Sequence, residues 1–135
     1  MKCPHKAHVA VVDGTRFVIM RNKGQVFEPK LETVCTPNLE TTNFSAGVRH
    51  QDDAGQRLGR TDLNELAHAA AATEWLNQQA LDGKIDQLLI ISDPKTLGEM
   101  RRHYHQELQQ RLVGEIAKAV AHEPVPVIEK VLAVN

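Results

Sequence analysis

Disulfide chemistry is nearly absent from this chain. It has two cysteines in 135 residues, Cys3 and Cys35, too few for the framework of a secreted, stapled domain. Aromatic residues are also scarce: one Trp, one Tyr and three Phe. Long apolar runs are missing: none exceeds four residues, as in `VAVV` (9–12) and `LLII` (88–91), far short of a bilayer span. The opening `MKCPHKAH` has no apolar stretch to read as a signal peptide. Neither sign of charge dominates: 16 basic residues face 17 acidic ones, so no global field drives the chain onto nucleic acid or membrane. No glycine-rich phosphate loop, nucleophile elbow or Cys-His catalytic pairing can be read. These absences lead us to expect a reduced, cytoplasmic, soluble protein, a single domain over 1–135 with no cofactor and no membrane partner. Seven histidines should make its net charge more positive between pH 7 and pH 6.

What is present is an alternation of apolar runs and turn residues. `HVAVVD` (8–13) reads as a buried strand stopped by Asp13-Gly14. `TRFVIMR` (15–21) follows at once and ends at Asn22-Lys23-Gly24, which is hairpin punctuation on both sides. `QVFEPKLETVCT` (25–36) contains Pro29, which cannot donate a ladder hydrogen bond, so it is placed as a kinked edge strand. Residues 37–61 have no clean period and contain Pro, Asn, Asp and Gly. A connection this long inside a compact domain is functional or disordered.

A helix is predicted from Thr61-Asp62 to about Leu81, stopped by Asp82-Gly83. Leu63, Ala67, Ala70 and Leu81 share a face that Glu74 interrupts, and Trp75 is expected against the core. `IDQLLIIS` (85–92) has the continuous apolar character of a strand covered on both faces. Asp93 suits a helix N-cap and Pro94 the first helical position. One helix is expected to follow, with Leu97, Met100, Tyr104 and Leu108 on a single stripe. `RLVGEIAKAV` (111–120) fits helix or strand, with a lean to strand, and `PVPVIEKVLA` (124–133) reads as a final helix. The order of elements implies an α/β domain with a mixed sheet and helices on its faces.

The order and spacing of Asp13-Gly14, Gly59-Arg60, `LLIIS` and `LGEMR` (97–101) resemble the bacterial host attachment family, over about residues 8–132. That family in turn is similar to the middle domain of the archaeal and eukaryotic class-one peptide-chain release factors. The resemblance implies a three-layer, ribonuclease-H-like fold with sheet order 3-2-1-4-5, and a long loop that in release factors carries a Gly-Gly-Gln tip. This chain departs from that pattern: its loop has Ala54-Gly55-Gln56. It also has Asp93 where relatives commonly have an apolar residue or proline. A ribosomal role is therefore an expectation by analogy of fold.

Four groups of residues are candidates for chemistry. Arg49, His50, Arg57 and Arg60 make the 37–61 segment locally basic, offset in part by Asp52 and Asp53. Arginine contacts phosphate well, but only Phe44 is nearby to stack on a base. Arg101 lies on a helix flank beside Gly98 and is expected either to pair with a buried carboxylate or to bind an anion. A glycine inside a helix costs about 1 kcal/mol against alanine, which suggests a backbone or ligand coming close at Gly98. Asp13 and Asp93 follow two strands that the fold would set side by side. They could converge on divalent ions as in ribonuclease-H-like nucleases, or act as a turn residue and a helix cap. Cys3, His5 and His8 are soft ligands at short spacing, yet one short of the four a structural zinc site takes. The favoured function is a non-enzymatic, ribosome- or RNA-associated protein. The alternatives are a metal-dependent hydrolase or nuclease using Asp13 and Asp93, and a protein-interaction module acting indirectly on attachment.

Overall fold

The computed structural model describes residues 3–39 and 60–134. Five strands form one mixed sheet: β1 (His8–Val12), β2 (Phe17–Asn22), β3 (Leu31–Cys35), β4 (Leu88–Ser92) and β5 (Leu112–Ala117). Their order is β3-β2-β1-β4-β5. β1 pairs antiparallel with β2 and parallel with β4, and β5 continues the parallel half. The described residues include four helices: α1 (Arg60–Leu81), α2 (Pro94–Arg101), α3 (Gln106–Arg111) and α4 (Val125–Val134). This is the α/β fold and strand order anticipated from the sequence.

The period-2 alternation of the strands builds a core on each face. Ala10, Val12, Leu88 and Ile90 point to the layer of α1, α2 and α3. Val9, Val11, Leu89 and Ile91 point to the layer of α4, where Ile128 and Leu132 meet them. All eight strand residues are at most 1% exposed. Two-sided burial explains why `VAVV` and `LLII` are unbroken rather than alternating. Each larger side chain so buried contributes about 1.5–3 kcal/mol.

α1 is built differently. Ala69, Ala72, Leu76 and Ala80 form its sheet-facing contact, and small alanines let a helix approach closely. Trp75 packs edge-on against Phe17, with ring centroids 5.5 Å apart and planes at 83°. Leu81, expected on the core face, is instead 51% exposed. The helix has already turned it outward, and Gly83 ends the helix at φ 72°. There Lys84 N–H reaches Gln79 O and Gly83 N–H reaches Ala80 O. This pair of bonds is the Schellman arrangement, in which glycine supplies the left-handed residue.

Other boundaries moved. β3 begins only at Leu31, because residues 25–30 form a turn closed by Lys23 N–H to Lys30 O and Gln25 N–H to Glu28 O. β3 is an edge strand as expected, but Pro29 lies in the turn before it and not within it. The segment 111–120 is divided: Arg111 closes α3 and β5 takes over at Leu112. The single helix expected through Leu108 is two helices with a joint at Arg102–His105. Asn77 on α1, 3% exposed, causes the break by binding that joint on both sides. Its amide donates to His103 O at 2.9 Å and its carbonyl accepts His105 N–H at 3.0 Å. Both backbone groups are thereby drawn out of a continuous helical ladder. His105 then caps α3, its Nδ1 accepting Glu107 N–H at 3.0 Å.

Candidate functional site

The carboxyl ends of β1, β3 and β4 lie at one end of the sheet, because β3 runs parallel to β1 two strands away. Asp13 and Asp93 both sit there, each just past strand residues that pair with one another, Val12 with Ser92. The sequence expectation that the two aspartates would follow neighbouring strands is thus met. Their carboxylates, however, are engaged locally. Asp13 Oδ1 accepts the N–H of Thr15 at 2.8 Å and of Arg16 at 2.6 Å, and the Thr15 hydroxyl at 3.3 Å. Asp13 Oδ2 pairs with His122 Nε2 at 2.6 Å. Burial raises the Asp13 pKa, but the two backbone hydrogen bonds and the His122 charge outweigh it and hold the carboxyl below its ordinary value. Asp93 Oδ2 accepts Thr96 N–H at 3.1 Å, capping α2 with Pro94 in its first turn.

A second histidine closes on the same turn. His68 Nδ1 lies 2.9 Å from the backbone oxygen of Asp13. A carbonyl only accepts, so Nδ1 carries the proton and Nε2 keeps the lone pair. Burial lowers the His68 pKa, against the opposing pull of Asp13. Asp13 therefore ties α1 and the segment after β5 to the β1–β2 turn, through its carbonyl and its carboxylate respectively. Gly14 permits the approach of α1: a Cβ there would stand 2.5 Å from Cγ of Glu65. Glu65 in turn pairs with Lys95 of α2 at 3.5 Å.

Beside this clamp is a cleft of about 620 Å³, lined by Thr15, Arg16, Phe17, Val18, residues 36–39 and His68. Residues 36–39 are the root of the long segment, and α1 begins at Arg60, so both ends of that segment leave from this end of the sheet. Arg16, at the cleft, makes no ion pair among the described residues. Arg49, Arg57 and the Ala54-Gly55-Gln56 stretch lie outside the described residues, as does the side chain of Arg60.

Among the described residues, no three of His, Cys, Asp and Glu come together as a metal site. The Asp13–Asp93 pair alone offers little to divalent ions, since three of its four oxygens are hydrogen-bonded or ion-paired among the described residues, and the fourth is Asp93 Oδ1. That atom and Ser92 Oγ are buried without a hydrogen-bond partner among the described residues. No hydroxyl or thiol among the described residues hydrogen-bonds to His68 or His122, so a nucleophile–base pair is not assembled there. Cys3 is fully buried, and burial raises its pKa despite a hydrogen bond from Asn22. His5 Nδ1 is committed to Gly24 O at 2.8 Å. Cys3, His5 and His8 thus do not form a ligand set.

Arg101 took the first of its two expected arrangements. Its Nε lies 3.2 Å from each oxygen of Glu115, and its Nη2 lies 3.0 Å from Oε1. The carboxylate is half-buried rather than buried, with its side chain 22% exposed. Tyr104 donates its hydroxyl to Glu115 Oε2 at 2.5 Å. Burial raises the Glu115 pKa, but Arg101 and Tyr104 overcome it and hold the carboxyl low. Burial first, and then Glu115, push the Tyr104 phenol up. Gly98 meets nothing within 4 Å where a Cβ would stand, so the close approach expected there is absent. Its helix simply exposes it to solvent. Sequence reasoning missed Glu115, His68 and His122, whose partners are 11 to 109 positions away and leave no local pattern. It also missed Glu99, buried at 5% exposure yet bonded to Arg102 at 3.3 Å and His103 at 3.2 Å. The i, i+3 and i, i+4 spacing of those two was the available signal.

Among the described residues no helix is long and apolar enough to cross a membrane. No curated protein matches the chain. A family model does match, described as bacterial archaeo-eukaryotic release factor family 12 and covering residues 6–132. Because that match spans nearly the whole chain, the chain belongs to bacterial archaeo-eukaryotic release factor family 12.

Proposed function

We propose that the chain is a non-enzymatic cytoplasmic protein that associates with the ribosome through its RNA, using the 37–61 segment as the contacting element. The observation that carries this reading is the release-factor family match over residues 6–132. The geometry supports it. The two ends of the segment leave a rigid sheet end, braced by the Asp13–His122 and Asp13–His68 contacts, and Arg16 stands beside the root. Arg49, Arg57 and Arg60 are the residues we assign to phosphate oxygens, which guanidinium matches by paired hydrogen bonds. Any effect on attachment to a host, suggested by the resemblance to the host attachment family, is then indirect.

Sucrose-gradient fractionation of the tagged protein at low and high salt tests this. The protein should sediment with ribosomal particles at low salt and leave them at high salt, because phosphate contacts release counterions. Arg57→Ala with Arg60→Ala should move it to the top of the gradient at a lower salt concentration. A wild-type protein that stays at the top even at low salt would overturn the proposal and leave a protein partner as the reading to pursue.

A further inference from the structure

The opposite end of the sheet carries a different kind of surface. There β1 and β4 begin at His8 and Leu88, which pair, and β2 ends opposite them at Arg21–Asn22. Two adjoining grooves, of about 410 and 420 Å³, open at this end. His5, Lys6 and Arg21 line both, Lys23 lines one, and His8 and Lys84 line the other. Two carboxylates stand close by: Glu32 pairs with Lys23 and so neutralises one groove lysine, and Asp86 lines the second groove, 92% exposed and 3.3 Å from Arg111. Lys6, Arg21 and Lys84 have no carboxylate ion pair among the described residues.

The groove is held rigidly. Lys6 occupies left-handed backbone, φ 69°, as a non-glycine residue, a conformation that persists only where its surroundings impose it. Asn22 imposes it. The residue is fully buried, and its carbonyl accepts Lys6 N–H at 2.7 Å while its own N–H reaches Ala7 O at 2.9 Å. Its side-chain amide donates to Cys3 O at 2.9 Å, and its side-chain oxygen accepts Gly24 N–H at 2.9 Å and Lys30 N–H at 3.0 Å. His5 Nδ1–H adds a bond to Gly24 O.

We propose that this groove binds consecutive phosphates of an RNA strand, as a second contact at the far end of the sheet from the 37–61 segment. The proposal rests on the RNA-associated reading above and adds a location to it. Lys6 precedes β1, Arg21 stands near the end of β2, and Lys84 lies between α1 and β4, so the three cations come from three separate chain segments at one end of the sheet. Cations distributed along two adjoining grooves suit a chain of phosphates better than one free anion. The lining has no Phe, Tyr or Trp, so bases have nothing to stack on and the contact is to the backbone, independent of sequence.

The test is fluorescence anisotropy of a short labelled single-stranded RNA with the full chain, over a salt series. Lys6→Gln with Lys84→Gln is compared with Lys118→Gln with Lys130→Gln, which removes the same charge from exposed positions elsewhere. The first pair should weaken binding at least tenfold at low salt. It should also flatten the slope of log affinity against log salt by about 1.4, two contacts at about 0.7 each for a single strand. The second pair should change neither. If both pairs act alike, the groove is not the contact, although the RNA-associated reading survives. If wild-type protein binds no RNA at low salt, that reading fails and the groove proposal with it. Inorganic phosphate displacing the RNA at equal phosphate concentration would mark a site for a lone anion and overturn the backbone contact.

Discussion

Replacing Asn77 by alanine should cost the protein about 2–4 kcal/mol. The residue is 3% exposed and satisfies two backbone groups 26 and 28 positions away, His103 O and His105 N–H. A net hydrogen bond is worth about 1 kcal/mol, and a buried group left unpaired costs about 1–3 kcal/mol. Two such groups are affected, but the joint between α2 and α3 is only partly buried, so water can recover some of the loss. For a chain of this length each kcal/mol moves the thermal midpoint by about 3–4 °C, which puts the expected drop at about 6–15 °C. In urea the midpoint should fall by about 1–2 M at unchanged slope, since the exposed surface on unfolding is the same. Asn77→Asp is the informative companion. It keeps an acceptor for His105 N–H but turns an oxygen toward His103 O, where a donor stood, and adds a poorly solvated charge near Glu74. It should be less stable than the alanine variant. If Asn77→Ala lies within about 0.5 kcal/mol of wild type, the amide is not what breaks the helix at Arg102–His105, and that account of the joint is wrong.

Two further expectations follow from the titratable groups. Tyr104→Phe removes a hydrogen bond to a carboxylate, a kind worth about 1.5–3 kcal/mol. Arg101 still holds Glu115, so a loss of about 1–2 kcal/mol in urea unfolding is expected, and no loss would mean that the Tyr104 hydroxyl gains nothing from Glu115 over water. Acid should act in two stages. The folded pKa values of His68 and His8 are lowered, so below about pH 6.5 the unfolded chain takes up protons first and stability falls with pH. Asp13 and Glu115 are also lowered in the folded state. Their contribution is complete above the ordinary carboxylate range, about pH 4–4.5, and is lost as pH falls below it. A stability curve flat from pH 7 to 5.5 would contradict the lowered pKa values of the half-buried His8 and His68. Loss of the lower stage's steepness in Asp13→Asn would locate part of it at the β1–β2 turn.

Local chemistry in the sequence was enough to place β1, β2 and β4, the start of α2 at Asp93-Pro94 and the stop of α1 at Gly83, and to show that β1 and β4 are covered on both faces. These are short-range matters: alternation along a strand, an aspartate before a proline, a glycine that tolerates φ 72°. Hairpin and crossover rules gave a mixed sheet with helices on its faces, while the strand order 3-2-1-4-5 came with the family resemblance. What tertiary structure alone decided lies in pairs distant along the chain. Asn77 divides a stretch whose apolar spacing reads as one helix. Glu115 claims Arg101 and Tyr104, and His122 claims Asp13, 109 positions away. The gathering of Lys6, Arg21 and Lys84 at one end of the sheet has no signature in a chain whose total charge is near zero. A hydrogen bond or ion pair depends on where two groups meet in space, and periodicity records only which way each one faces.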